Sequence, residues 1–237
     1  MIEFITANAI ASAGILLLAG LLAAACYHKW GWSRTGARVG TKVIGITGTI
    51  ASGKSLVGKL LEKMGLPVID TDHVAHHVLK NDADVKEALR KRFGTGIFGA
   101  DGHINRKALG AIVFSDDAAR HDLDKIVHPA VIKACRQQVY ALGPVPLVFL
   151  LVPLLFEAGL EEQYDEIWTV IASPEVVRER LKKRDGLTDE EAEKRIAAQY
   201  PQAEKARRSH HVIDNSGTED DTRRQVEFLL ALPANQK

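Results

Sequence analysis

The chain has 237 residues, 46% hydrophobic and 26% charged, which suits one α/β domain with an appendage and excludes both wholesale disorder and two full domains. Lys and Arg total 31 against 30 Asp and Glu, so no global field favours nucleic acid, and any phosphate recognition has to be local. Cys26 and Cys135 have no neighbour at CxxC or zinc-finger spacing, which argues against a disulfide framework and a structural zinc site.

At the front, Phe4 to Tyr27 contains no Asp, Glu, Lys or Arg and centres on Ile15-Leu16-Leu17-Leu18-Ala19-Gly20-Leu21-Leu22. At about 1.5 Å per residue, a helix of that length crosses the roughly 30 Å hydrocarbon layer. Glu3 is the only charge before it, unlike the basic start of a secretory signal peptide. Lys29, Arg34, Arg38 and Lys42 follow, with Trp30 and Trp32 as interfacial anchors, and place the C-terminal side in the cytoplasm. A single transmembrane helix over 4–27 is therefore expected, with a cleaved targeting segment or a misassigned start as alternatives. Mitochondrial and endoplasmic reticulum membranes both stay open. A basic linker over 28–41 and one domain over 42–232 complete the expected organisation.

Within that domain, Val43 to Thr47, Val68 to Asp70, Leu147 to Val152, Ile167 to Ile171 and His211 to Asp214 are short apolar runs that read as buried strands. Helical patterns lie between them over 54–64, 74–79, 85–93, 106–114, 128–142, 174–184, 188–200 and 222–230. Ser173-Pro174 and the capping box opening at Thr188 mark two helix starts. The alternation predicts a three-layer α/β sandwich on a parallel sheet.

The most specific signal is Gly48-Thr49-Ile50-Ala51-Ser52-Gly53-Lys54-Ser55, the pattern GxxxxGKS directly after the first strand and opening the first long helix. Gly48 and Gly53 permit turn conformations that aim successive amides and the helix N-terminus at phosphate oxygens. Lys54 is then expected to reach the β- and γ-phosphates of ATP, and Ser55 to ligate Mg²⁺. No Asn-Lys-x-Asp motif occurs, which disfavours a GTPase and leaves a small kinase.

Further blocks extend the reading: Val68-Ile69-Asp70-Thr71-Asp72 with Ala75-His76, Ile104-Asn105-Arg106-Lys107-Ala108-Leu109 with Val113-Phe114, and His128-Pro129. Pro153-Leu154-Leu155-Phe156-Glu157, Arg180-Leu181 with Arg184, Arg195 with Gln199, and Val212-Ile213-Asp214-Asn215-Ser216-Gly217 come after them. In these blocks, from about Val43 to Leu230, the sequence resembles the dephospho-CoA kinases, and two stretches look closest to eukaryotic dephospho-CoA kinase domain-containing proteins. The resemblance implies a P-loop NTPase fold of the nucleoside-monophosphate-kinase-like kind, with a lid. The implied reaction is phosphorylation of the ribose 3′-hydroxyl of dephospho-CoA by ATP, with no nucleic-acid partner.

By the same resemblance Asp72 is the catalytic carboxylate, Lys54 and Arg184 are catalytic cations, and the loop from Gly48 to Leu56, with Arg180 and Asn215, holds the nucleotide. Asp70, His76, Arg106, His128, Pro153, Leu154 and Glu157 are implied on the acceptor side. Taken alone, Asp72 would read as a helix N-cap, Lys182 and Lys183 as a solvated helix end, and Leu154 as core. Thr49 and Ala51 replace glycines common in the family's loop, and Leu56 replaces a second hydroxyl residue. Leu151 stands where many members have an acid, which leaves Ser55, the phosphates and Asp72 to position Mg²⁺. A weakly active nucleotide or CoA-binding scaffold, and a kinase for another small metabolite, are the rival expectations.

Overall fold

The computed structural model describes residues 41–232, so the apolar segment over 4–27 and nearly all of the linker lie outside the described residues. Among the described residues, no helix is long and apolar enough to cross a membrane. Five strands, β1 (Lys42–Gly48), β2 (Val68–Asp70), β3 (Leu147–Leu151), β4 (Glu166–Ile171) and β5 (His211–Asp214), pair in the order β2-β3-β1-β4-β5. Every pairing is parallel. Parallel strands need crossovers, and the crossover helices cover both faces of the sheet.

On one face lie α1 (Lys54–Lys63) and α9 (Glu219–Ala231), packed on Ile44, Ile46, Phe149, Leu151, Trp168 and Val170. On the other lie α2 (Thr71–Asn81), α3 (Ala83–Phe93), α4 (Arg106–Ser115) and α5 (Asp117–Ala141), packed on Val43, Val148, Leu150 and Val152. The alternation of Val43 with Ile44, and of Val148 with Phe149, is the two-residue period of a strand buried on both sides. A smaller cluster joins α6 (Pro174–Asp185) and α7 (Asp189–Ala197) to Ile50 and Ala51 of the phosphate loop. The helix α8 (Gln202–Arg208) lies beside β4 and β1.

Several element boundaries differ from expectation, and three of them have a clear physical cause. The helix expected from His128 begins at Asp117, where Asp116 caps it by accepting from the Ala118 amide at 2.8 Å, and Pro129 is carried inside it. Its first half buries Ala119, Leu123 and Val127, a spacing of four that holds one helical face inward. The pattern expected to run to Tyr200 stops at Ala197, because Pro201 biases the residue before it away from helix, and α8 then opens behind that proline.

The third difference bears on function. Helix α2 starts at Thr71 rather than Val74, because the Asp70 carboxylate accepts from the amides of Asp72 at 2.9 Å and His73 at 3.4 Å. The cap is thus Asp70, which leaves the Asp72 side chain free of that duty. Replacing Asp70 with Ala should lower stability by about 1 kcal/mol, while Asn, which also caps, should cost much less. Urea midpoints at constant m-value report this, and equal midpoints for all three proteins would remove the cap from the account.

Candidate active site

Between β1 and α1 the chain makes a tight loop. Gly48 has φ 151° and Gly53 φ 104°, and a Cβ added at Gly48 would stand 2.3 Å from the Val170 carbonyl oxygen. Ala51, at φ 60°, is the only non-glycine with positive φ among the described residues. The loop therefore keeps the left-handed turn without the glycine that usually supplies it, at a cost of roughly 1–2 kcal/mol. Helix α1 has no side-chain cap and no acidic residue in its first turn, so its open amides and positive dipole end face outward uncompensated.

The loop is braced from behind. Arg180 donates to the carbonyls of Ala51 at 3.3 Å and Ser52 at 3.2 Å, and to that of Asn215 at 2.8 Å. Asn215 donates to the Ser52 carbonyl at 2.8 Å and accepts from the Thr222 hydroxyl at 2.9 Å. The Ile50 amide donates to Gln199 Oε1 at 2.7 Å. Asn215, expected against the nucleotide, is only 2% exposed and spends its amide on the loop and on Thr222, since a buried amide has to satisfy its own donors and acceptors. The Arg180 guanidinium likewise serves loop carbonyls that neither helix nor strand satisfies, and the residue also borders the cavity in front.

Two cavities meet in front of this loop. The first, of about 650 Å³, is walled by Ile50, Ala51, Gly53, Lys54 and Ser55 opposite Arg180, Lys183, Arg184 and Arg195. The second, of about 140 Å³, is largely apolar and lies between α2, α4, α5 and the segment after β3, with Arg106, Asp124, His128 and Leu154 on its walls. Asp72 and Pro153 belong to both. Gly48, Thr49, Ser52 and Leu56 are not among the walls of either, and Thr49 and Ser52 are buried. Asp70 and the exposed His76 also line neither cavity.

Lys54 donates to the Gly48 carbonyl at 2.9 Å and the Thr49 carbonyl at 3.4 Å. Burial pushes its ammonium down to about 8, the Lys205 ammonium adds to the fall, and Asp72, Glu157 and Asp70 oppose it. Burial raises the Asp72 carboxyl to about 6, helped by Asp70 and opposed by Lys54 and His73. Arg184 makes a two-point contact with Asp185 at 2.8 and 2.9 Å, and Arg195 joins the same carboxylate at 3.0 Å. His128 stands 3.8 Å from Asp124, whose carboxyl burial pushes up to about 8.

Glu157, expected on the acceptor side, lines neither cavity. Its carboxylate is 7% exposed as a residue and is engaged by Lys205 at 2.8 Å and by the Tyr200 amide at 2.9 Å. A buried carboxylate needs such partners. Lys205 itself carries no sequence signal, being one lysine in a charged helix, whereas Arg195 and Gln199 stand out by their helical spacing. Leu151, 7% exposed, packs its side chain on Gly58 of α1.

The donor set suits a nucleoside triphosphate with Mg²⁺: capless amides, a buried ammonium, the Ser55 hydroxyl and the Asp72 carboxylate, the last two being the hard oxygens Mg²⁺ prefers. Among the described residues, no cluster of three His, Cys, Asp or Glu forms a self-sufficient metal cage.

The dephospho-CoA kinase family model matches residues 42–221. A dephospho-CoA kinase of Symbiobacterium thermophilum is 47% identical over 188 residues, covering 78% of this chain and 79% of that protein. One from Geobacter sulfurreducens is 42% identical over 191 residues, covering 80% and 97%. Among solved structures, a Thermus thermophilus protein superposes with TM-score 0.73 at 38% identity, covering 81% of this chain and 97% of that one. The dephospho-CoA kinase of Campylobacter jejuni gives 0.61 at 26%, covering 80% and 96%. With a parallel α/β fold, a phosphate loop, a family model matched over 42–221 and relatives matched over 79% and 97% of their length, this chain belongs to the dephospho-CoA kinase family.

Proposed function

We propose that this chain transfers the terminal phosphoryl group of ATP to the ribose 3′-hydroxyl of dephospho-CoA, giving CoA and ADP. The observation that carries the reading is the meeting of a cation-lined cavity and an apolar one at Asp72. The loop amides and Lys54 hold the β- and γ-phosphates in the first, and the acceptor lies in the second with its hydroxyl against Asp72. As the bond from the 3′-oxygen to the γ-phosphorus forms and the β–γ bridge breaks to release ADP, Asp72 takes the hydroxyl proton. Arg184 and Arg195 offer positive charge to the transferring group. Mg²⁺, when bound, neutralises phosphate charge, and Ser55 and Asp72 are the residues that would hold it.

Leu151 favours a second reading. Without an acid at the end of β3, a chain that binds nucleotide or CoA and turns over little follows directly from weak metal positioning. Purified protein with ATP, Mg²⁺ and dephospho-CoA separates the two. ADP release dependent on dephospho-CoA supports the kinase, tight binding without turnover supports the second reading, and turnover only on other acceptors contradicts both. Asp72→Asn should lower kcat by about 100- to 10,000-fold with ATP affinity little changed; unchanged kcat would take Asp72 out of the mechanism.

The rate should also follow the ionisation of Asp72. The carboxylate form is the base, so kcat/KM should fall about tenfold per pH unit below about 6. Asp70→Asn keeps the helix cap but removes a neighbouring negative charge, so the acid limb should move to lower pH. An acid limb that stays in place would contradict this coupling.

The reading extends to location. Residues 4–27 tether the kinase to a membrane with the catalytic domain on the cytoplasmic side, a reading supported by their length, apolarity and flanking basic residues. The full chain should sediment with membranes after a high-salt wash, and the chain from residue 41 onward should remain in the supernatant. A full chain released by salt would overturn the anchor.

A further inference from the structure

Lys205 is fully buried on α8 and Glu157 nearly so, with the ammonium 2.8 Å from one carboxylate oxygen and 3.1 Å from the other. Burying two charges is a poor route to stability, since well-packed apolar replacements are often neutral or better. What distinguishes this pair is where its remaining hydrogen bonds go. Lys205 also donates to the Pro153 carbonyl at 3.1 Å, which accepts from the Thr47 hydroxyl at 3.1 Å as well. Glu157 accepts from the Tyr200 amide, and the preceding residue, Gln199, accepts from the loop amide of Ile50.

One buried ion pair therefore ties together the end of β1, the Pro153 wall common to both cavities, and the connection from α7 to α8 that grips the phosphate loop. We propose that the Lys205–Glu157 pair is a positioning element for phosphoryl transfer, fixing the partition between donor and acceptor cavities relative to the phosphate loop. The proposal rests on the kinase reading and deepens it. Reaction between two bound substrates depends on approach at the ångström scale, and the Pro153 wall stands where they meet.

The test uses the full chain carrying Lys205→Met, Glu157→Gln, or the doubly neutral Lys205→Met/Glu157→Leu. Melting temperature, kcat and both KM values are measured. The double variant, which leaves no unpaired buried charge, should melt close to the wild type yet lose about 100-fold in kcat. The loss should fall on kcat, with both KM values changed less than about threefold, as expected when alignment of the bound substrates is what suffers. A double variant with wild-type kcat, or one whose loss appears in KM alone, would overturn the positioning role. Wild-type turnover is the control: its absence overturns the kinase reading and this proposal together, whereas wild-type turnover beside an equally active double variant overturns this proposal alone.

Discussion

The open amides at the start of α1 are the constraint on which the rest of the site depends. A helix start with neither a capping side chain nor an acidic first turn leaves donors that only water or an anion can satisfy. Bending the chain so that these donors converge also strips the loop carbonyls of their usual partners. Arg180, from α6, and Asn215, just after β5, therefore occupy those carbonyls, and Gln199 takes the Ile50 amide. The strain at Ala51 is tolerated because that scaffold over-determines the turn.

Charge is arranged as tightly as the backbone. The chain is close to neutral overall, yet Lys54, Arg180, Lys183, Arg184 and Arg195 gather on one cavity. Burial moves the two central groups toward each other: Asp72 up to about 6 and Lys54 down to about 8. Between those values the carboxylate is mostly ionised and the ammonium mostly charged.

Local patterns were enough for β1, the phosphate loop and α1, because a buried strand, a GxxxxGKS turn and a helical period are all written within a dozen neighbouring residues. The choice between Asp70 and Asp72 was not local: either can cap a helix by type, and only the backbone geometry assigns the cap to Asp70. Asn215 and Glu157 carried family motifs, but their partners lie 163 and 48 residues away, at Ser52 and Lys205. Separations of that size are invisible to spacing arguments. The start of α5 was obscured by a polar first half and by Pro129, which the helix accommodates in its interior.

The central claim is that main-chain donors ahead of α1, completed by Lys54, recognise a chain of phosphates. Calorimetric titration of the protein with ATP, ADP, AMP and adenosine at fixed Mg²⁺ tests this most directly. Affinity should climb with each phosphate that reaches the loop, and Lys54→Ala should flatten the difference between ATP and AMP. Equal affinity for ATP and adenosine, or a phosphate dependence untouched by loss of Lys54, would contradict the account.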